Sequence, residues 1–303
     1  MQFDQTQIAI RERDFLDTLD LSLLVLRRYL APVAITFTLG AAPFAAFNLY
    51  FLTWMADLDP RDFDLDEWIL QIIRYVWCAC VVVAVQAQAA AVFTTAFIGR
   101  VVFTERPSIR GVVSSTFKML PHIVWTQFVV RGVLFLLLYV ATLSPDRHFE
   151  AGSEMVLIGL FGLWALGARS FRPYINEVVL LEKNPLFGAD QNRMTVGRRS
   201  RILHEPASGD LVLKTITSAF FAVLMAAAFC SLGFLFCGIF LNTWTPGHLA
   251  SAICLNVALW IVAGYFAVVR FLNYLDLRIR HEGWEVELRL RAEAARQAGA
   301  LAK

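Results

Sequence analysis

The side chains best placed to do chemistry in this sequence are arginines standing where charge is costly. Arg131 lies in Phe128-Val129-Val130-Arg131-Gly132-Val133-Leu134, an apolar run with no acid beside it. An ionisable group inside a membrane span is expensive and marks functional positions. Two readings stand open for Arg131. It contacts an anion or headgroup within a bundle or forms a gating pair, or it bonds a carbonyl or a polar side chain such as Gln86, Gln88 or Asn256. Arg169, Arg172 and Asn176 recur at spacings of three and four, which places them on one face of a helix. Glu177 and Glu182 follow, and Pro173 is expected to kink that helix. These arginines either snorkel to an interface or line a polar cavity as contacts for a substrate or lipid. Arg74 is expected at an interface too, reaching Glu67 two turns earlier.

No catalytic constellation accompanies them. The sequence contains no His-Glu-x-x-His, no Gly-x-Ser-x-Gly and no P-loop run. Its five histidines (His122, His148, His204, His248 and His281) are scattered. Cys78 and Cys80 would project about 200° apart on a helix, so they do not chelate together. All five cysteines lie in apolar stretches and read as small buried hydrophobes. Neither a catalytic residue nor a metal or cofactor site is expected.

The elements that must position the arginines are membrane spans. Apolar residues make up 58% of the 303 and charged residues only 17%, against about a quarter in soluble domains. A helix needs about 20 apolar residues to cross the hydrocarbon core. Six stretches qualify: Leu30–Trp54, Tyr75–Ile98, Pro121–Leu143, Met155–Leu181, Thr215–Leu241 and Leu249–Leu272. The period-2 alternation of a membrane barrel is absent. The fold expected is therefore all-α, a polytopic bundle of about six spans over residues 30–272. Residues 1–29 would form an amphipathic lead-in and 273–303 a charged helical tail.

Basic residues set the expected orientation. Arg11, Arg13, Arg27 and Arg28 precede the first span, and Arg100, Arg106, Arg110 and Lys118 follow the second. Most of the others lie after the fourth span or in the tail, whereas the alternate loops hold only Arg61 and Arg147. This asymmetry places both termini in the cytoplasm. No cleavable secretory signal is expected in the polar residues Met1 to Asp20.

The expected cytoplasmic face carries most of the mass outside the membrane. Leu16, Leu19, Leu23, Leu26 and Leu30 recur at helical spacing, but Asp14, Asp17 and Asp20 would be repelled by anionic headgroups, so packing on the bundle is an equal reading. Pro107-Ser108 opens a short helix through Lys118. Arg193, Arg198, Arg199 and Arg201 form a basic cluster that anionic lipid or the positive-inside rule alone explains. It is short and lacks interleaved aromatics, so nucleic acid is not expected as a partner. The acidic loop Ala56–Glu67 reads as a solvated linker. Pro43, flanked by Ala41/Ala45 and Ala42/Ala46, suggests close helix contact.

The stretch Phe271-Leu272-Asn273-Tyr274-Leu275-Asp276-Leu277-Arg278-Ile279-Arg280-His281-Glu282-Gly283-Trp284-Glu285 resembles the ending of uncharacterised bacterial six-span membrane proteins. These are similar to the membrane domain fused to some glycerophosphoryl diester phosphodiesterases. A second echo is Glu182-Lys183-Asn184-Pro185 with Arg199-Ser200 and Leu203. The resemblance implies topology, a bacterial inner membrane and a short inner motif. Phosphodiesterase activity is not implied, because no stretch outside the spans approaches the roughly 250 residues of that catalytic barrel.

Two functions follow as expectations. The first is a non-catalytic scaffold or partner subunit of an envelope complex, docking a cytoplasmic or membrane protein through Tyr274, Asp276, Arg278, Arg280, Glu282, Gly283 and Trp284. The second is a transporter or lipid-handling protein that uses Arg131, Arg169, Arg172 and Asn176 on an anionic substrate. Membrane lipids are partners in either case, and the oligomeric state is left open.

Overall fold

The computed structural model describes residues 14–56, 65–102, 107–143, 151–186, 194–244 and 247–282. Among them every regular element is helical. In chain order these are α1 (Phe15–Arg28), α2 (Leu30–Leu52), α3 (Leu65–Ala90), α4 (Val92–Val101), α5 (Ile109–Phe117) and α6 (Leu120–Val130). Then follow α7 (Val133–Thr142), α8 (Ala151–Phe171), the short α9 (Ile175–Glu177), α10 (Val196–His204), α11 (Ser208–Phe240) and α12 (His248–Glu282). Five helices are long and apolar enough to cross a membrane, or six if α6 and α7, bent by 62° at their junction, form one span. The chain is an all-α, multi-pass membrane bundle, as the hydropathy predicts.

The helices are not the six uniform rods that hydropathy suggests. The second span starts earlier than Tyr75 and breaks at Ala91, and the fourth ends at Phe171 rather than Leu181. The 33 residues of α11 and 35 of α12 extend about 50 Å each, well beyond the ~30 Å of hydrocarbon. No break marks the expected boundary at Leu272–Asn273, since α12 continues unbroken to Glu282. Around the overhang gather α1, α5, α9 and α10, forming what is here termed the base of the bundle.

Two apolar cores stack along the bundle. One lies among α2, α3, α7, α8 and α12, around Phe37, Phe44, Leu52, Val82, Leu136, Ile158 and Trp260. The other fills the base with Val25, Phe97, Ile98, Val178, Leu203, Leu211, Phe271 and Tyr274. Close approach of α2 and α3 is set at Gly40, where a Cβ would collide with the Ala90 carbonyl oxygen. Beside it, Asn48 and Gln86 exchange two amide bonds of 2.8 and 3.0 Å, so two buried amides satisfy each other. Ala41 is buried on this face while Ala42 and Ala46 are exposed, so only half of the small-residue pattern around Pro43 marks contact.

At the base, α5 begins where Pro107-Ser108 predicts, with the Gly111 N–H donating to Ser108 Oγ at 3.3 Å. The lead-in helix is amphipathic in a different sense from the leucine pattern. Its buried side is Thr18, Ser22 and Val25, packed against α12, whereas Leu16, Leu23 and Leu24 are exposed. The hydroxyls of Thr18 and Ser22 donate back to carbonyls one turn earlier, so this small face packs without unpaired polar atoms. The expected acidic loop falls largely on residues 57–64, outside the described residues.

Candidate functional site

Three helix breaks lie at neighbouring positions in the bundle, and their residues are tied together. The chain between α3 and α4 turns at Ala91. Between α6 and α7 it turns at Arg131 and Gly132, the latter at φ +73°. Between α8 and α9 it turns at Arg172, Pro173 and Tyr174. A side chain at Gly132 would strike the Trp164 ring, so the turn between α6 and α7 requires glycine. The turns before it are wound as a π-helix over Val124–Val130, a form frequent at functional sites. Broken helices in a membrane leave backbone groups that need other partners.

Side chains supply those partners. Arg131, 2% exposed, donates to Gln88 Oε1 and to the backbone carbonyl of Arg172. Asn176 Nδ2 donates to the Gln88 carbonyl at 2.6 Å, and Gln127 Nε2 donates to Asn176 Oδ1. Of the three partners expected for Arg131, the structure selects Gln88; Gln86 is taken by Asn48, and Asn256 donates to Ala252. Arg131 and Asn176 thus clasp the breaks together.

Arg169 and Arg172 part company. The single face predicted for Arg169, Arg172 and Asn176 does not form, because α8 ends at Phe171 and the Pro173 turn redirects the chain. Arg172 is exposed and contributes its carbonyl. Arg169 is only 3% exposed, and its Nε, Nη1 and Nη2 all lack a hydrogen-bond partner among the described residues. Arg131 and Arg270 lie close enough to repel it. The carboxylate at this level, Glu177, is fully buried and held by Arg270 Nε at 2.9 Å. A second nitrogen of Arg270 donates to Thr95 Oγ1 at 3.1 Å. Positive charge therefore exceeds negative charge in a buried site, a cost of several kcal/mol for an unpaired cation.

Arg169 opens into a groove of 1220 Å3 between α3, α8, α11 and α12. Arg270, Lys214, Asn273 and Gln88 line the same end of it. Lys214 is paired with Asp210 at 3.0 Å and Asp276 at 3.5 Å, so of the three cations lining the groove Arg169 is the one without a counter-ion among the described residues. Among the described residues no aspartate or glutamate lines the groove. The sequence marks Arg169 by its place in a span, but not Lys214 and Arg270, which sit at span ends where basic residues are ordinary, nor Asn273, a neutral amide beside them.

The motif after the last span is drawn into the base. Tyr274 is fully buried, and its hydroxyl donates to Glu182 Oε1 at 3.0 Å. Arg199 grips Glu182 with two nitrogens at 2.6 and 2.9 Å, and Arg278 approaches it at 3.8 Å. Burial alone would raise the Glu182 carboxyl, but Arg199, helped by Arg278 and Tyr274, holds it below the usual carboxylate range. Asp276 is also buried, paired with Lys214 and with Arg280 at 3.1 Å. Tyr274 and Asp276 are thus engaged inside the chain rather than presented to a partner. Nothing is described of the Glu282 side chain, and Gly283 and Trp284 lie outside the described residues. The two echoes of the resemblance, Glu182-Lys183-Asn184-Pro185 and the Tyr274 stretch, meet here as one cluster.

Beside it His204 is buried and stacks on Tyr174, with ring centroids 5.5 Å apart. The Tyr174 N–H donates to His204 Nε2, and Nδ1 faces the Ser200 carbonyl at 2.6 Å. This pair fixes the neutral tautomer protonated at Nδ1, so the ring serves as a helix clamp. Burial pushes the Tyr174 phenol up, which keeps it neutral as well. At the far end, Arg74 pairs with Glu154 on α8 and stacks on Trp54, its centroid distance being 5.3 Å. The structure pairs Arg74 with Glu154 across the helix interface; the side chain of Glu67, the partner expected for it, lies outside the described residues.

Fold and site together define a polytopic helical membrane protein with a buried, uncompensated guanidinium at one end of an apolar groove. Comparison with protein-family profiles, with curated proteins and with solved structures finds no match for the chain.

Proposed function

We propose that this protein handles an anionic substrate within the membrane, with no chemical step of its own, and that Arg169 is the contact for the substrate's charge. One observation carries the reading: a guanidinium 3% exposed, with all three nitrogens unpaired, facing a groove. Unpaired buried charges are rare in proteins and are relieved by a counter-ion. Arginine suits the role, since its planar fork meets carboxylate and phosphate oxygens in pairs.

The same proposal includes a bacterial inner membrane, six spans with α6 and α7 counted as one, and cytoplasmic termini. Supporting it are the distribution of basic residues and the resemblance to the membrane domain of the phosphodiesterases. In that orientation the base is cytoplasmic and Arg169 lies toward the inner leaflet. Arg131 and Asn176 act as positioning residues, holding the three breaks that frame Arg169. The scaffold reading is weakened by the burial of Tyr274 and Asp276, which removes the centre of the proposed docking motif from the surface.

The test is purification in a mild, lipid-preserving detergent followed by mass spectrometry of retained molecules. An anionic small molecule or lipid held by the wild type and lost in Arg169→Gln supports the reading. A stoichiometric protein partner held equally by both, with no anionic molecule, overturns it in favour of the scaffold.

A further inference from the structure

The groove has two ends of different chemistry. At the base end stand Arg169, Lys214, Arg270 and Asn273, and from there the walls turn apolar. Alanines on three helices, including Ala84 and Ala87 of α3, Ala222 and Ala226 of α11 and Ala263 of α12, leave the space between the helices open. On α3 the lining runs from Trp68 to Gln88, a rise of about 30 Å at 1.5 Å per residue. That equals the hydrocarbon thickness of a bilayer. The volume of 1220 Å3 exceeds the ~300–1,000 Å3 of pockets that take small molecules.

The mouth faces lipid rather than water. Val76 and Trp77 of α3, Leu166 of α8, and Val223 and Phe234 of α11 line the groove and are themselves exposed. All five lie in helices long and apolar enough to cross a membrane, so the opening is lateral. A soluble anion has nothing to bury along such walls and no aqueous route implied by them. An amphiphile entering sideways from the bilayer satisfies both ends at once.

Resting on the reading of Arg169 as an anion contact, the geometry points to an anionic phospholipid as the occupant. Its phosphate oxygens sit on Arg169 and its acyl chains lie along the alanine walls. The amide oxygen of Asn273, buried, unpartnered and on the groove wall one turn beyond Arg270, accepts a headgroup hydroxyl. A phosphatidylglycerol headgroup offers both features, whereas phosphatidylcholine carries no hydroxyl donor and a cation beside its phosphate.

The experiment uses full-length protein, delipidated and supplied with dioleoyl phosphatidylglycerol or dioleoyl phosphatidylcholine, with bound lipid counted by native mass spectrometry. Two substitutions separate the ends of the site. Arg169→Gln removes the headgroup contact, and Ala226→Trp fills the apolar walls while leaving Arg169 in place. Ala84→Trp repeats the block from the opposite wall, so the result does not hang on one variant's folding, which size-exclusion elution checks. Expected is preferential binding of phosphatidylglycerol, reduced about tenfold by Arg169→Gln and abolished by either tryptophan.

If phosphatidylglycerol binding survives both tryptophans and falls with Arg169→Gln, the groove assignment is overturned and the anion contact stands. The same follows if no lipid binds while inorganic phosphate stabilises the wild type against heat and not Arg169→Gln. If phosphatidylcholine binds as well as phosphatidylglycerol and Arg169→Gln changes neither, both readings fall.

Discussion

Arg131 donates to the backbone carbonyl of Arg172, so the break in one membrane helix is closed by a charge standing at the break of another. Its other nitrogen reaches Gln88, on the wall of the groove, just ahead of the third break at Ala91. A buried cation with two fixed partners is a structural element first. Arg131→Ala is expected to destabilise the fold by about 3–5 kcal/mol, because Gln88 and a helix-end carbonyl lose their partner together. Arg169→Ala should cost far less, or stabilise the protein when no ligand is bound, since it removes an unpaired charge. Thermal unfolding in detergent of the two variants side by side checks the contrast. Equal losses would mean that Arg169 has partners in the folded chain.

The turn at Gly132 makes a narrower prediction. Its φ of +73° and the Trp164 ring packed over it both exclude a side chain. Left-handed backbone alone costs an L-residue about 1–2 kcal/mol, and the collision adds to that. Gly132→Ala should therefore lower the melting temperature, and Trp164→Ala should restore part of the loss in the double variant by relieving the collision while leaving the backbone term. A double variant no better than the single would show that the ring yields freely.

At the far end, Arg74 and Glu154 form an ion pair with side chains only 9% and 2% exposed. Breaking such a pair strands a charge, whereas replacing both partners by apolar groups is often neutral. Arg74→Met and Glu154→Leu should each cost about 3–5 kcal/mol, and the double replacement much less than their sum. A double-mutant cycle of melting free energies measures the coupling; additive losses would show that the two side chains do not depend on each other.

Much of this architecture is legible in the sequence, and the remainder has identifiable reasons for escaping it. Hydropathy finds the helices because lipid permits little else, and Ser108 marks its helix because the cap is local. Hydropathy does not find the break at Ala91, since the residues on either side remain largely apolar; Pro173 marks the one after Phe171, but not the long-range bonds from Asn176 and Arg131 that make it a full break. The leucine stripe of α1 is misleading for a related reason. Apolar residues signal burial in water, but beside a membrane Leu16 and Leu23 are at ease outside, and the small face of Thr18 and Ser22 is the one that packs. Arg131 and Arg169 both read in sequence as arginines within membrane spans. What separates them is whether a carbonyl and an amide stand opposite, and those come from helices distant in the chain.

The cluster at the base should respond to acid. Glu182 is held below the usual carboxylate range in the fold, burial being outweighed by Arg199, Arg278 and the Tyr274 hydroxyl. A group whose folded pKa is depressed contributes stability above its unfolded pKa, about 4.3 for a glutamate, and that contribution fades as pH falls through the folded value. The wild type should therefore lose melting temperature below about pH 5. Glu182→Gln should be less stable at neutral pH by about 2 kcal/mol, having given up charge-assisted bonds from Arg199, and should show a flatter acid limb. Since Arg199 lies on α10 and Tyr274 on α12, loss of the carboxylate unties both helices from the chain that follows α9. Hydrogen exchange of α10 should then quicken in Glu182→Gln at neutral pH and in the wild type at low pH, while α2 and α3, held by Asn48 and Gln86, stay protected in both. Acid sensitivity that persists undiminished in Glu182→Gln would place the titrating group elsewhere and leave the cluster a passive contact.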